Sequence, residues 1–429
     1  MVEHHTDFPV EEQYVFEDRT RKGAYTAIIV GFILVLLGIA FFYLLPHEAI
    51  SEHGAHANAE HGHGASLVKI ILANLWLNNV YFTGIAIIGV FFVAFQYVAQ
   101  AGWSSSILRI PQSFGYFLPI TGALMILVFI ASLLIGHQGL FHWTHPGIMQ
   151  EDKLIAGKSA YLNVPFFMIR MVTYFGLWYW IFLKIRKLSL QEDFDKNVKY
   201  YEKQSFWSII FIIVFAVTSS TSAWDWVLSL DTHWFSTMFG WYVFASWFVT
   251  GLAVITLTVV SLKDAGYLKM VNSSHLHDLG KFMFAFSIFW TYIWFSQFLL
   301  IYYAGIPEET IRFHTLLNGF DGMYKFLFFF NLIINFVFPF LFLMTRDAKR
   351  HMILLKVAAC GIIVGHWLDF YLMVMPFTLG DKGGISFIEL GFIAIYAGGF
   401  ILVVGSNLGK ALLIPKNHPM LEESMHHDI

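Results

Sequence analysis

Ten stretches of this chain are each long and apolar enough to cross a bilayer, and they leave room for little else. They run at about 24–45, 70–98, 115–136, 162–184, 206–228, 240–262, 281–303, 322–344, 352–375 and 386–409. A spanning helix needs ~20 apolar residues. In lipid, only helices and closed barrels satisfy their own backbone N–H and C=O groups, and continuous rather than alternating apolar runs select helices. Of the 429 residues 13% are charged, about half the ~25% of a soluble chain. The expected fold is an all-α integral membrane protein of ten transmembrane helices. The first run follows a polar segment without a small-residue cleavage site, so it reads as a retained helix and not a signal peptide.

The single Cys360 cannot make an internal disulfide, bind an iron–sulfur cluster alone, or anchor a c-type haem through C-x-x-C-H. No covalently bound cofactor is therefore expected, and redox centres would sit on partner subunits. With the N-terminus inside, most Lys and Arg fall on inner segments: Arg19, Arg21 and Lys22, the run from Lys184 to Lys203, Lys263 and Lys269, and Arg346 to Lys356. The outer segments hold only Lys69, Lys153, Lys158, Arg312, Lys325 and Lys382. That asymmetry follows the positive-inside rule with both termini cytoplasmic. Residues 1–23 read as a cytoplasmic lead-in, 24–409 as the membrane domain and 410–429 as a cytoplasmic tail. Lipids surround such a chain, and no nucleic-acid partner is expected.

The polar residues inside the apolar runs carry the functional signal, because an ionisable group in lipid is costly and normally faces a bundle interior or a water cavity. The fifth run ends in SSTSAWDWVLSLDTHWFSTMFGWY (219–242), where Thr218, Thr221, Ser222, Asp225 and Ser229 share one helical face. The third run closes on GHQGLFHWTHP with His137 and His142, the fourth carries Arg170, the ninth places His366 and Asp369 in VGHWLDFY, and the tenth opens with Glu389. Nearly all lie toward the outer side. Two chemistries suit them. A proton half-channel would use Asp225 with Thr218, Thr221, Ser222 and Ser229, together with Asp369, His366 and Glu389. A quinol pocket would use His137, His142, Arg170, Asp231 and His233, with a His and an Asp accepting the hydroquinone protons between aromatic rings. The loop histidines His47, His53, His56, His61 and His63 match no defined metal spacing, so no metal site is expected. The fifth and ninth runs are four apart and each bears an aromatic-flanked Asp (AWDWVL, HWLDFY). This weak repeat points to two four-helix bundles, helices 2–5 (about 70–228) and 6–9 (about 240–375), with helices 1 and 10 peripheral.

SAWDWVLSLDTHWFSTMFGWY, followed by SSHLHDLGKFMFAFSIFWTYIWFSQFLLIYYAGIPEE, resembles the second large membrane subunit of bacterial alternative complex III, a family similar to the polysulfide reductase/NrfD-type membrane subunits. The resemblance covers all ten runs. It implies two four-helix bundles in a quinol:electron-acceptor oxidoreductase of the bacterial inner membrane. The implied partners are a paralogous NrfD-type membrane subunit, an iron–sulfur protein, multihaem and monohaem cytochromes c, and a terminal oxidase as acceptor. Quinol or menaquinol is the implied ligand of the complex. Within the family the better-supported quinol site lies in the paralogous subunit, and this one is assigned a proton path or scaffold role. The resemblance gives no residue-by-residue assignment. The competing class is a secondary transporter of repeated bundles, which normally breaks its helices at the midplane; here Pro119 and Pro165 lie near helix starts and Pro339 is the main deep proline.

Overall fold

The computed structural model describes residues 12–44 and 67–428, so the histidines of 47–63 lie outside the described residues. Ten helices among those residues are long and apolar enough to span a membrane: α1 Asp18–Leu44, α2 Leu67–Val98, α3 Arg109–Leu134, α4 Val164–Gln191, α5 Lys199–Leu230, α6 Met238–Asp264, α7 Ser273–Ala304, α8 Lys325–Phe342, α9 Met352–Thr378 and α10 Phe387–Leu408. The protein is an all-α, multi-pass membrane protein, and no strand occurs among the described residues.

Helix neighbours follow a simple order. α2 packs on α3, α3 on α4, α4 on α5, and α5 back on α2; α6 packs on α7 and α9, and α8 lies against α7 and α9. α2 also lies against α6, α9 and α10, which makes it mostly buried despite its apolar sequence. Gly84 allows the α2–α6 approach, since a Cβ there would fall 1.9 Å from the Trp247 ring. α1 contacts mainly α10. Their backbones touch where Gly31 meets Gly391, and a Cβ on Gly31 would sit 2.6 Å from the Gly391 carbonyl oxygen. Small residues at such a contact replace the hydrophobic drive that lipid removes.

Several helices, α1, α3, α4, α5 and α7 among them, run six to eight residues beyond the expected bounds; α1 starts at Asp18, ahead of 24. Two local elements also depart from the sequence expectation. The loop after α7 contains a helix, Pro307–Leu317, signalled by proline in its first turn followed by Glu308 and Glu309 at the positive end of the helix dipole. α8 carries a π-helical turn at Ile333–Val337, directly before Pro339, whose missing N–H cannot bond the carbonyl one turn back.

Residues 410–428 are a folded strap. Leu413 N–H donates to the Glu12 carbonyl. Arg109 holds the Leu412 carbonyl at 3.0 Å and Asp193 at 2.7 Å. Asn417 donates to the Glu192 carbonyl, Ser424 to the Trp103 carbonyl, and His427 meets Asp278 at 2.7 Å. The strap thus crosses one end of the molecule from the α4–α5 turn to α7. Glu192 lies beneath it, 1% exposed, accepting from Gln204 at 3.2 Å. Burial raises its pKa to about 7 from an ordinary 4.5. Folding therefore favours the protonated acid: its contribution to stability is fully present below pH 4.5 and is lost as pH rises toward 7. Glu192→Gln should remove this slope and stabilise the protein above pH 7 by at most roughly 3 kcal/mol. Thermal unfolding in detergent from pH 4.5 to 8 checks it, and parallel curves for both proteins would show that Glu192 ionises in the fold as freely as in the unfolded chain.

Candidate functional site

Two buried aspartates lie toward the end of the bundle opposite the strap, and their surroundings differ. Asp225 on α5 is 1% exposed. Arg170 of α4 grips it bidentately, Nε to Oδ2 at 2.7 Å and Nη2 to Oδ1 at 2.9 Å. The third guanidinium nitrogen donates to the Tyr161 carbonyl at 3.0 Å, and the Tyr161 and Phe166 rings lie 3.9 and 4.3 Å from the guanidinium carbon. Arginine suits this place because its planar fork matches a carboxylate and stacks on aromatic faces. Tyr174 donates to Oδ2 at 3.2 Å and also meets Thr221. The stripe hydroxyls are otherwise spent on their own backbone. Thr218 donates to Val214, Thr221 to Val217, Ser222 to Ser219 and Ser229 to Asp225 carbonyls. Such back-bonding satisfies a hydroxyl in a lipid-embedded helix, so among the described contacts the stripe reaches the carboxylate through Tyr174.

Asp369 on α9 is fully buried and is met by all of α6, α7 and α8. Ser246 donates to Oδ2 at 2.6 Å, Trp290 Nε1 to Oδ2 at 3.0 Å, Asn331 Nδ2 to Oδ1 at 2.8 Å, and the Tyr242 hydroxyl also to Oδ1. Among the described residues no Lys or Arg pairs with it. His366, one turn back, has Nδ1 3.8 Å from Oδ2 and its ring edge-on to Trp290 at 5.3 Å. Neither of its ring nitrogens has a hydrogen-bond partner among the described residues, although both are buried. Asn335 donates to Asn331 Oδ1 at 2.6 Å from within the π turn of α8. Gly365 makes room for it, since a Cβ there would lie 2.3 Å from Asn335 Oδ1.

A small cavity of about 30 Å³ lies between this cluster and the helix Pro307–Leu317. Tyr242 and Asn331, both donors to Asp369, line it together with Gln297 and Arg312. Its size admits about one or two waters. Arg312 is 5% exposed, pairs with Asp231 at 3.1 Å and stacks on Phe377 at 3.9 Å.

The residues expected to form one quinol pocket divide into three sets. His137, His142 and His233 join a ring-to-ring series through His145, with centroids 5.8, 5.2 and 5.9 Å apart. His233 continues to Asp152 at 2.5 Å, and this hydrogen bond pulls the Asp152 pKa down. Arg170 and Asp231 stand apart, committed to Asp225 and Arg312. Among the described residues no three of His, Cys, Asp and Glu are placed to hold a metal ion. Glu389 acts as a fastener: Oε2 accepts from Ser386 N at 2.8 Å and from its hydroxyl at 2.5 Å, and Oε1 accepts from Asn74 of α2 at 2.8 Å. The S-x-x-E spacing of Ser386 and Glu389 before an apolar run is a capping box and was readable in the sequence. The Asp369 donors were less so. Asn331 and Asn335, and Tyr242 and Ser246, each stand four apart on an apolar helix, which places each pair on one face, but nothing local says which carboxylate they serve.

No protein-family model and no curated protein matches this chain.

Proposed function

We propose that this chain is a membrane subunit of a bacterial quinol oxidoreductase of the alternative complex III type, serving as scaffold and exchanging protons at Asp369–His366 within α6–α9. The observation that carries the proton role is the Asp369 site: a buried carboxylate held, among the described residues, by neutral donors, beside a histidine whose ring nitrogens have no hydrogen-bond partner among those residues, under a cavity sized for water. A proton can enter or leave there by turning the Tyr242 and Ser246 hydroxyls, without breaking an ion pair. At Asp225 the same event would leave the Arg170 cation buried without its partner, at a cost of several kcal/mol. In this reading Asp225 positions α4 against α5, the α2–α5 and α6–α9 neighbour sets act as two bundles, both termini are cytoplasmic, and the Asp369 cavity faces the outer side. Electrons travel through haem and iron–sulfur partners to cytochrome c or an oxidase. The two long motifs quoted above support the family assignment, and the helix count and neighbour order agree with it.

Mild-detergent purification from the native membrane tests the reading. The chain should bring down haem absorbance and quinol:cytochrome c activity, and should be inert when isolated. A chain that purifies alone and drives substrate-dependent uptake in vesicles would overturn it in favour of a transporter.

A further inference from the structure

α4 and α5 meet at the strap end of the molecule, and a groove of about 430 Å³ between them is lined by Lys184, Lys187, Lys203 and Trp207. A second groove of about 290 Å³ opens on the other face of α4, lined by Tyr116, Arg186 and again Lys187. Lys187 forms the ridge between them. The three lysines are exposed, and no ion pair involves them among the described residues. Three nearby acids are engaged elsewhere, Asp193 by Arg109, Asp195 by Lys199, and Glu192 beneath the strap, and exposed Glu202 makes no ion pair with these lysines among the described residues. Arg186 is 4% exposed, gives Nη1 to Gln112 at 2.6 Å and also meets Tyr116, while its buried Nε has no hydrogen-bond partner among the described residues. No carboxylate makes an ion pair with this guanidinium among the described residues, and a buried cation left so suits an anionic ligand. Toward the membrane core the grooves run onto exposed apolar surface formed by Trp180, Leu183, Phe206 and Ile213. Trp180 and Trp207 meet edge to face at 5.1 Å, as a headgroup-level aromatic belt does.

We propose that the paired grooves bind one dianionic phospholipid of the diphosphatidylglycerol type, its two phosphates straddling Lys187. Lys184 and Lys203 face one phosphate and Arg186 the other. The acyl chains lie along Trp180, Leu183 and Phe206. Basic pockets between helices at the basic membrane face take such headgroups, and each cation near the surface contributes ~1 kcal/mol. The bound lipid would hold the α4–α5 hairpin beneath the strap. This site is independent of the proton reading, since it involves neither Asp369 nor its cavity.

The test is native mass spectrometry of the protein, with whatever subunits purify alongside it, titrated with diphosphatidylglycerol and separately with phosphatidylethanolamine. Lys184→Gln/Lys187→Gln/Lys203→Gln should weaken diphosphatidylglycerol binding on the order of 10- to 100-fold, while Lys22→Gln/Lys269→Gln binds as wild type. Thermal stabilisation by the lipid should disappear in the triple variant alone. The proposal fails if the triple variant keeps wild-type affinity, if phosphatidylethanolamine binds equally well, or if inorganic phosphate competes as effectively as the lipid. Cross-linking from Lys187 to another subunit in native membranes would overturn it too, giving the grooves to a protein partner.

Discussion

Arg170→Ala should destabilise the protein by about 3–5 kcal/mol, the usual consequence of removing one partner from a buried ion pair. The cost is not that of a lost contact alone. Asp225 is 1% exposed, and after the change its nearest remaining donor is the Tyr174 hydroxyl at 3.2 Å. The Tyr161 carbonyl loses its donor, and the aromatic rings that sandwich the guanidinium close on a void. Arg170→Lys should recover only part of the loss, because an ammonium cannot span both carboxylate oxygens or stack between two rings. The informative variant is the double change Arg170→Met/Asp225→Leu. If the pair serves packing and not proton transfer, an apolar pair of similar volume should restore most of the stability and leave proton coupling intact. Thermal unfolding in detergent measures the first part and vesicle proton release the second. A single Arg170→Ala variant within ~1 kcal/mol of wild type would mean that water reaches Asp225 freely and that the ion pair is not the element holding α4 to α5.

Asp225 and Asp369 show how far the sequence could be read. Both stand in the same kind of run, between aromatic residues and on helices four apart, and the local pattern treats them alike. Their chemistry differs through residues far along the chain: Arg170 lies 55 positions from Asp225, and Tyr242 lies 127 from Asp369. Apolar run length gave the ten helices because the bilayer imposes that length on each helix separately. Which face of each helix turns toward which neighbour is a packing outcome, and no single run contains it. The same limit hid the strap, whose buried His418 and Ile414 sit in a polar-looking tail. Glu389 is a different case. Its capping spacing with Ser386 is local and legible, and an acidic residue at the mouth of an apolar helix suits a proton group as well as a cap.

On the proposed function, Asp369→Asn should leave assembly largely intact and reduce proton-coupled turnover by about 10²-fold, the lower part of the range for losing a positioned acid–base group. Asparagine keeps the size of the side chain and one acceptor oxygen. Its amide nitrogen, placed where Oδ1 now lies, would face the Tyr242 hydroxyl, which can turn to accept, and the Asn331 amide, which must flip or lose a bond. Placed on the other side it would meet the Trp290 N–H, a donor that cannot reverse. The first arrangement wins, and its cost is about one unsatisfied hydrogen bond, ~1–3 kcal/mol. That is smaller than the loss expected at Arg170, so the variant should fold. What it cannot do is bind and release a proton, and the His366 nitrogens beside it would then have no carboxylate neighbour in the cluster. Proton release per electron in reconstituted vesicles, with Asp225→Asn measured alongside, separates the two aspartates. Asp369→Asn should lose coupling with modest loss of stability, and Asp225→Asn should lose stability with coupling retained in the protein that survives. Wild-type rate and stoichiometry in Asp369→Asn would reduce its four donors to a packing device and move the proton role back to Asp225, where Tyr174 and Thr221 offer the remaining polar link.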